Sequence, residues 1–111
     1  MNNPKISIVT ISFNSAAEIE DTIKSVVSQN YGNKEYLVID GGSKDGTLEI
    51  INRYHNQIDY LVSESDKGIS DAFNKGIKAA TGDYIVMLNA GDILIDNALN
   101  NFAKDFVPGY D

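Results

Sequence analysis

The chain has 111 residues, 42% of them apolar and 23% charged, which is room for one domain with a modest core and falls in the ordinary soluble globular class. Sixteen acidic against nine basic residues give a formal charge of −7, which disfavours a nucleic-acid backbone as partner. An anionic ligand would need a metal or backbone N–H groups to hold it. The lack of cysteine excludes disulfides and thiolate metal sites and fits a cytoplasmic setting. No run approaches the ~20 apolar residues of a membrane span, and the opening MNNPKISIVTI shows neither the basic flank nor the cleavage site of a secretory signal.

In chain order, ISIVTI at 6–11 is a β-branched run suited to a buried first strand, with Pro4 just outside the ladder. Ser15 stands three residues before Glu18, the pattern of a capping box. Ala16, Ile19, Ile23, Val26 and Val27 then recur at helical spacing, predicting a helix over about 15–29, with Gly32 after its end. EYLVID at 35–40 is the second strand, and it breaks into Gly41 and Gly42, which permit close backbone approach or positive φ. Asp45 can cap a helix to about residue 55 whose inner side uses Leu48, Ile51 and Tyr54. Residues 58–62 form a short third strand.

Ile69, Phe73, Ile77 and Ala80 give a stripe for a helix over about 70–80. Gly76 inside it costs ~1 kcal/mol relative to alanine, a sign that something passes close by. Gly82 suits the left-handed residue that ends this helix. The run at 84–88 reads as a strand buried on both faces, followed by the polar turn Asn89, Ala90, Gly91, Asp92. A last helix from Asp96 uses Leu99, Phe102, Ala103 and Phe106 and runs to Pro108.

Strands alternating with helices imply an α/β fold: a parallel sheet of about four strands, right-handed crossovers and helices on both faces. Its carboxyl edge then gathers Thr10, Ser12 and Asn14 from the first strand end, and Asp40, Gly41 and Gly42 from the second. Glu64, Asp66 and Lys67 follow the third, and Asn89, Gly91 and Asp92 the fourth. Ligands of open α/β sheets bind at this edge. Singly, each residue has a plainer role. Thr10 and Ser12 can be strand-end hydroxyls, and Ser15 or Asn14 a helix cap. Asp66 and Lys67 can be a solvated pair, Asn74 and Lys75 an outer helix face, His55 a surface residue, and Asp92 a cap. Neither the G-x-G-x-x-G fingerprint nor a Walker A loop is present. A carboxylate on the second strand end could accept from a base or ribose, and one on the fourth could hold a metal on a diphosphate.

The segments SIVTISFN, VIDGGSKDGT, SESDKGISDAFNKGI and ATGDYIVMLNAGD resemble the amino-terminal half of a family-2 glycosyltransferase of the GT-A fold. The similarity is to the bacterial type that assembles cell-envelope polysaccharides. It covers about residues 5–95 and implies a Rossmann-like nucleotide-sugar (donor) binding domain over 1–111. By that resemblance Thr10, Ile11, Ser12 and Asn14 line the nucleotide pocket, and Asp40 recognises the base, typically uracil. Gly41 and Gly42 admit the backbone, Asp66 and Lys67 flank base and ribose, and Asn74 faces the donor. Residues 89–92 take the place of the DXD motif. Asn89 replaces its first acid and Gly91 precedes its last, leaving Asp92 as the Mn²⁺ or Mg²⁺ ligand. The resemblance further implies a UDP-sugar donor, a saccharide or lipid-linked acceptor, inverting and metal-dependent transfer, and work in the cytoplasm at the inner membrane face. Family members continue into a half that supplies a carboxylate general base. Nothing after Asp96 matches it, and Asp105 and Asp111 come too early, so a truncated donor module without transfer is expected.

Two readings from other classes compete. One is a non-catalytic nucleotide-binding or regulatory α/β module. Its phospho-receiver form needs paired acids after the first strand and a fifth strand, whereas Thr10 and Ser12 end the first strand here. The other is a structural fragment that self-associates through an exposed sheet edge.

Overall fold

A computed structural model of the chain describes residues 3–104. Four strands, β1 (Ile6–Ser12), β2 (Lys34–Asp40), β3 (Tyr60–Ser63) and β4 (Tyr84–Asn89), form one sheet in the order β3-β2-β1-β4. All three pairings are parallel. The helices are α1 (Ile19–Val27), α2 (Thr47–Asn52), α3 (Ile69–Ala79) and α4 (Ala98–Lys104), with a single 3-10 turn at His55–Gln57. The alternation of β-branched and helical-period segments therefore produces the expected parallel α/β sheet.

β1 is central and wholly buried, and its side chains divide the core by parity. Ile6 and Ile8 join Tyr36 and Val38 of β2 and Leu88 of β4, and this face is covered by Ile19, Ile23 and Val26 of α1, Ile51 of α2, and Leu99 and Ala103 of α4. Val9 and Ile11 join Leu37 and Ile39 on the opposite face, covered by Ala72 and Phe73 of α3. The close approach sensed at Gly76 is β1 itself: a Cβ there would lie 2.3 Å from Val9 Cγ1. Any larger residue would lift α3 off the sheet.

Several local expectations are corrected. β4 is an edge strand, and only its inner face is covered; Ile85 and Met87 on the other face are 37% and 50% exposed, because α3 packs over β1 and β2 instead. α1 begins at Ile19, not Ser15. Ser15 turns its hydroxyl to the Phe13 carbonyl at 3.0 Å, and the free amide of Ala16 is taken by Asp45 Oδ2 at 3.2 Å. The second helix stops at Asn52, and β3 starts at Tyr60, where the side chain of Asp59 accepts the Tyr36 N–H at 2.8 Å just ahead of the strand. Gly82 is not left-handed; glycine is needed there because a Cβ would meet Ser7 Oγ at 2.5 Å and Lys5 O at 2.8 Å. The last helix starts at Ala98, after Asn97 at φ 62°, and Phe102 is half exposed with its ring edge-on to Tyr84 at 5.0 Å. Phe106 and Pro108 lie outside the described residues. No helix among the described residues is long and apolar enough to cross a membrane.

Candidate nucleotide-binding cleft

The carboxyl ends of the strands open into a cleft of about 420 Å³, within the usual size of a small-molecule site. Ile11, Ser12 and Phe13 from the end of β1 and Asn89 and Ala90 from the end of β4 form its floor. Gly41 closes it on the β2 side, while Asp66, Gly68, Ile69 and Ala72 rise from the loop before α3 and from α3. The cleft therefore lies on the α3 face of the sheet, where Ile11 and Ala72 already share a core cluster. Phe13 and Ile69 stand at its mouth, each 62% exposed. Two apolar side chains left in water at one opening suit a flat ring laid between them.

On the β2 side the neighbouring loop is closed. Asp40 is fully buried. Its Oδ1 accepts from Ser12 Oγ at 2.8 Å and Ser43 Oγ at 2.6 Å, and its Oδ2 from Ser43 N at 2.8 Å, Gly42 N at 3.1 Å and Ser63 Oγ at 2.8 Å. Burial opposes its charge, yet the Ser43, Ser12 and Ser63 hydrogen bonds outweigh it and hold the carboxyl below its ordinary value. Gly42 supports the turn with φ 85°. Asn14, left-handed at φ 48°, ties the first loop to this one: its N–H donates to Ser43 Oγ at 2.8 Å and its Oδ1 accepts from Lys44 N at 2.9 Å. Thr47 Oγ1 takes the Ser15 N–H at 2.8 Å.

Across the cleft, Asp66 pairs through Oδ1 with Lys75 Nζ. The ammonium also meets Glu64 Oε2 at 3.0 Å and donates to Ser65 O at 3.1 Å. At the end of β4 the chain makes a tight turn: Asp92 N donates to Asn89 O at 2.9 Å, and Asn89 N to Asp92 Oδ2 at 2.9 Å. Gly91 supplies φ 105° and donates its N–H to Thr22 Oγ1 at 2.8 Å.

Residues 7–111 match the sequence profile described as glycosyl transferase family 2. The chain belongs to that family. It is 41% identical over 90 residues to an uncharacterised glycosyltransferase of Mycobacterium tuberculosis, covering 80% of this chain and 34% of that protein. It is 34% identical over 103 residues to the poly-beta-1,6-N-acetyl-D-glucosamine synthase of Staphylococcus epidermidis, covering 91% and 25%. The chain thus spans about a quarter to a third of the length of these curated relatives. Among solved structures, it resembles Staphylococcus aureus TarS (residues 1–349) in complex with UDP, with TM-score 0.79, 25% identity, and coverage of 90% of this chain and 31% of that one. It also resembles the mannosyltransferase PcManGT from Pyrobaculum calidifontis in complex with GDP-Man and Mn²⁺, with TM-score 0.79, 26% identity, and coverage of 90% and 30%. Its four-stranded parallel sheet is thus the Rossmann-like part of a GT-A fold.

In this family-2 glycosyltransferase chain the cleft brings together five of the residues singled out in the sequence: Ile11, Ser12, Gly41, Asp66 and Asn89. The others stand elsewhere. Thr10 is fully buried on the α1 face with its hydroxyl 2.8 Å from Tyr36 Oη, and Asp40 points to that same face. Asn14 and Gly42 hold loops together. Asn74 is exposed on α3 outside the cleft lining, and Lys67 is exposed beside the mouth with its N–H on Asp71 Oδ2 at 2.9 Å. Asp66 pairs with Lys75 instead of Lys67. Gly91 and Asp92 form the rim turn, and His55 is exposed as expected.

Sequence reasoning missed Phe13, Ile69 and Lys75. Phe13 and Ile69 are apolar residues that the core does not claim. Ile69 was counted in the inner stripe of α3, but it and Ile77 are exposed, and the helix is seated through Ala72, Phe73 and Gly76 instead. Among the described residues no three acidic or histidine side chains converge on one metal-ion position. Asp92, with one oxygen on the turn and the other without a partner among the described residues, suits a divalent ion that arrives on a diphosphate, since Mg²⁺ is commonly held by one or two carboxylates plus substrate phosphates.

Proposed function

We propose that this chain is the donor-binding part of a glycosyltransferase and that its cleft takes the nucleoside of a nucleotide-diphospho-sugar, with UDP-sugar as donor. The observation that carries this reading is the opening between the β1 and β4 ends. There Phe13 and Ile69 offer an apolar slot, with Asp66 and Asn89 as the polar groups around it. In this reading the pyrimidine ring lies against the two apolar side chains, and the diphosphate runs toward the 89–92 turn. There Asp92, with Asn89 beside it, would hold a Mn²⁺ or Mg²⁺ carried by the phosphates. That ion would supply charge neutralisation of the diphosphate as it leaves, which a chain of net charge −7 otherwise provides poorly. Ile11 and Ser12 form the floor, Gly41 leaves room for the Asp66 carboxylate at the wall, and Lys67 beside the mouth adds a positive charge. Transfer to a saccharide or lipid-linked acceptor with inversion belongs to the same proposal.

Two similarities support the reading: related structures of similar fold hold UDP in one case and GDP-Man with Mn²⁺ in the other. The test is calorimetric titration with UDP in Mn²⁺ and then in EDTA, with GDP and ADP as controls. Metal-enhanced binding selective for UDP is expected. Absence of binding by any nucleotide contradicts the reading.

A further inference from the structure

Resting on the proposal that the cleft binds a nucleoside, we infer that the carboxylate reading that nucleoside is Asp66 and not Asp40, and that Lys75 is the residue that positions it. Burial decides the first half, with strand parity behind it: Asp40 is fully buried and outside the cleft lining, although Ser12 opposite it reaches that lining at the strand end. Asp40 lies opposite Ser12 in the β1–β2 register, on the face that also holds Thr10 and Tyr36, whereas the cleft opens on the face of Ile11 and Ala72. Asp40 is also saturated. A carboxylate offers about four lone-pair sites, and Asp40 already accepts from Ser12, Ser63, Gly42 and both donors of Ser43. To bind a base it would have to unpack its own loop.

The next residue on β2, the one that borders the cleft, is Gly41, which has no side chain to offer. Its missing Cβ would lie 3.0 Å from Asp66 Oδ2 and 3.3 Å from Phe13 Cδ1. The carboxylate of Asp66 thus occupies the space that a side chain at position 41 would need. Glycine at 41 and aspartate at 66 are two parts of one arrangement.

Asp66 is also oriented. Its side chain is only 10% exposed, and Oδ1 is held by Lys75, leaving Oδ2, with no partner among the described residues, at the cleft wall. An anionic oxygen fixed beside this apolar slot accepts from an imide N–H or a ribose hydroxyl. Lys75 is itself fixed by the Glu64 carboxylate and the Ser65 carbonyl. Asp71 Oδ2, 4.0 Å away, adds a third negative charge. The Asp66 hydrogen bond, aided by Glu64 and against some desolvation, raises the Lys75 ammonium above its ordinary pKa, so it stays charged throughout the neutral range. Its neighbour Gly76 seats α3 directly on Val9, which sets the height at which Lys75 meets Asp66. Without the ammonium, Glu64, Asp66 and Asp71 repel one another, and Asp66 loses its orientation.

Calorimetry with UDP and, separately, with Mn²⁺-pyrophosphate distinguishes reading of the nucleoside from holding of the phosphates. Lys75→Met and Asp66→Asn are each expected to weaken UDP binding by about tenfold or more, the worth of a hydrogen bond to a charged group, with pyrophosphate binding unchanged. Lys75→Arg should restore most of the loss, which a purely structural role for the aliphatic stem would not require. Thermal melts check folding, and Asp66→Asn, close in shape to the parent, carries the same expectation should Lys75→Met fail to fold. Parent-like UDP affinity in either folded variant overturns the inference while leaving the cleft assignment standing. A parent chain that binds no UDP overturns the cleft assignment, and this inference with it.

Discussion

Two carboxylates stand near one another at the carboxyl edge of the sheet and have opposite fates. Asp40, at the end of β2, is fully buried and collects hydrogen bonds from three serines and a glycine N–H. Asp66, in the loop after β3, has one oxygen locked to Lys75 and the other at the cleft. The difference shows how one sheet edge separates stability from recognition: a carboxylate buried at the end of β2 closes the loops, and one held at the cleft wall is left for a ligand. A fully satisfied buried carboxylate stabilises a fold. A half-satisfied one beside exposed apolar side chains is available to bind.

The largest effect expected from this contrast is on stability. Asp40→Ala should cost about 2–3 kcal/mol in urea denaturation at pH 7, because it strands the buried Ser12 hydroxyl and several part-buried donors at once. The sign of its pH dependence follows from the depressed folded-state pKa. The stabilisation is complete above the unfolded value of about 4 and is lost as the pH falls through the lower folded value. The gap between parent and variant should therefore narrow in acid.

Next is Gly76→Ala. The added methyl would sit 2.3 Å from Val9 Cγ1, and overpacking of about 1–3 kcal/mol is offset only in part by the ~1 kcal/mol gain in helix propensity. A net loss of stability is expected, together with weaker UDP binding, because α3 carries both Lys75 and Ile69. Unchanged affinity in a destabilised variant would separate α3 seating from the cleft.

Asp92→Ala should be smaller in stability, about 0.5–1 kcal/mol for one exposed turn hydrogen bond. It should remove the difference between UDP titrations in Mn²⁺ and in EDTA. A variant that kept the full metal effect would move the cation away from the 89–92 turn. The smallest change is expected from Asn74→Ala. Asn74 is exposed on α3 outside the cleft lining, so UDP affinity and melting temperature should both stay close to the parent.

Much of this was legible in the sequence because the strands and helices announce themselves by period. The alternation of β-branched runs with the stripes of α1 and α3 led to the parallel sheet, and the odd glycine at 76 pointed to a close approach, which the structure shows to be β1. Parity at strand ends was also legible in principle. Thr10, Ser12 and Asp40 share one face once β1 and β2 are aligned, and that alignment sets Asp40 against the core. What a linear reading could not supply was contact between distant loops. The hydrogen bond that Asp45 accepts from the Ala16 N–H, the Ser63 hydroxyl on Asp40, and the reach of Lys75 to Asp66 and Glu64 all depend on how loops of different strands meet. The edge position of β4 was hidden for a related reason: the apolar run at 84–88 looks the same whether one face is covered or both.

The most direct test of the central claim is to follow backbone amide NMR shifts during titration with UDP and Mg²⁺. Shifts are expected to concentrate at Phe13, at residues 66–69 and at residues 89–92, with the amides of residues 43–47 nearly still. Shifts centred on Asp40 and Ser43, with Asp66 and Ile69 unmoved, would contradict the assignment of the ligand to the α3 face.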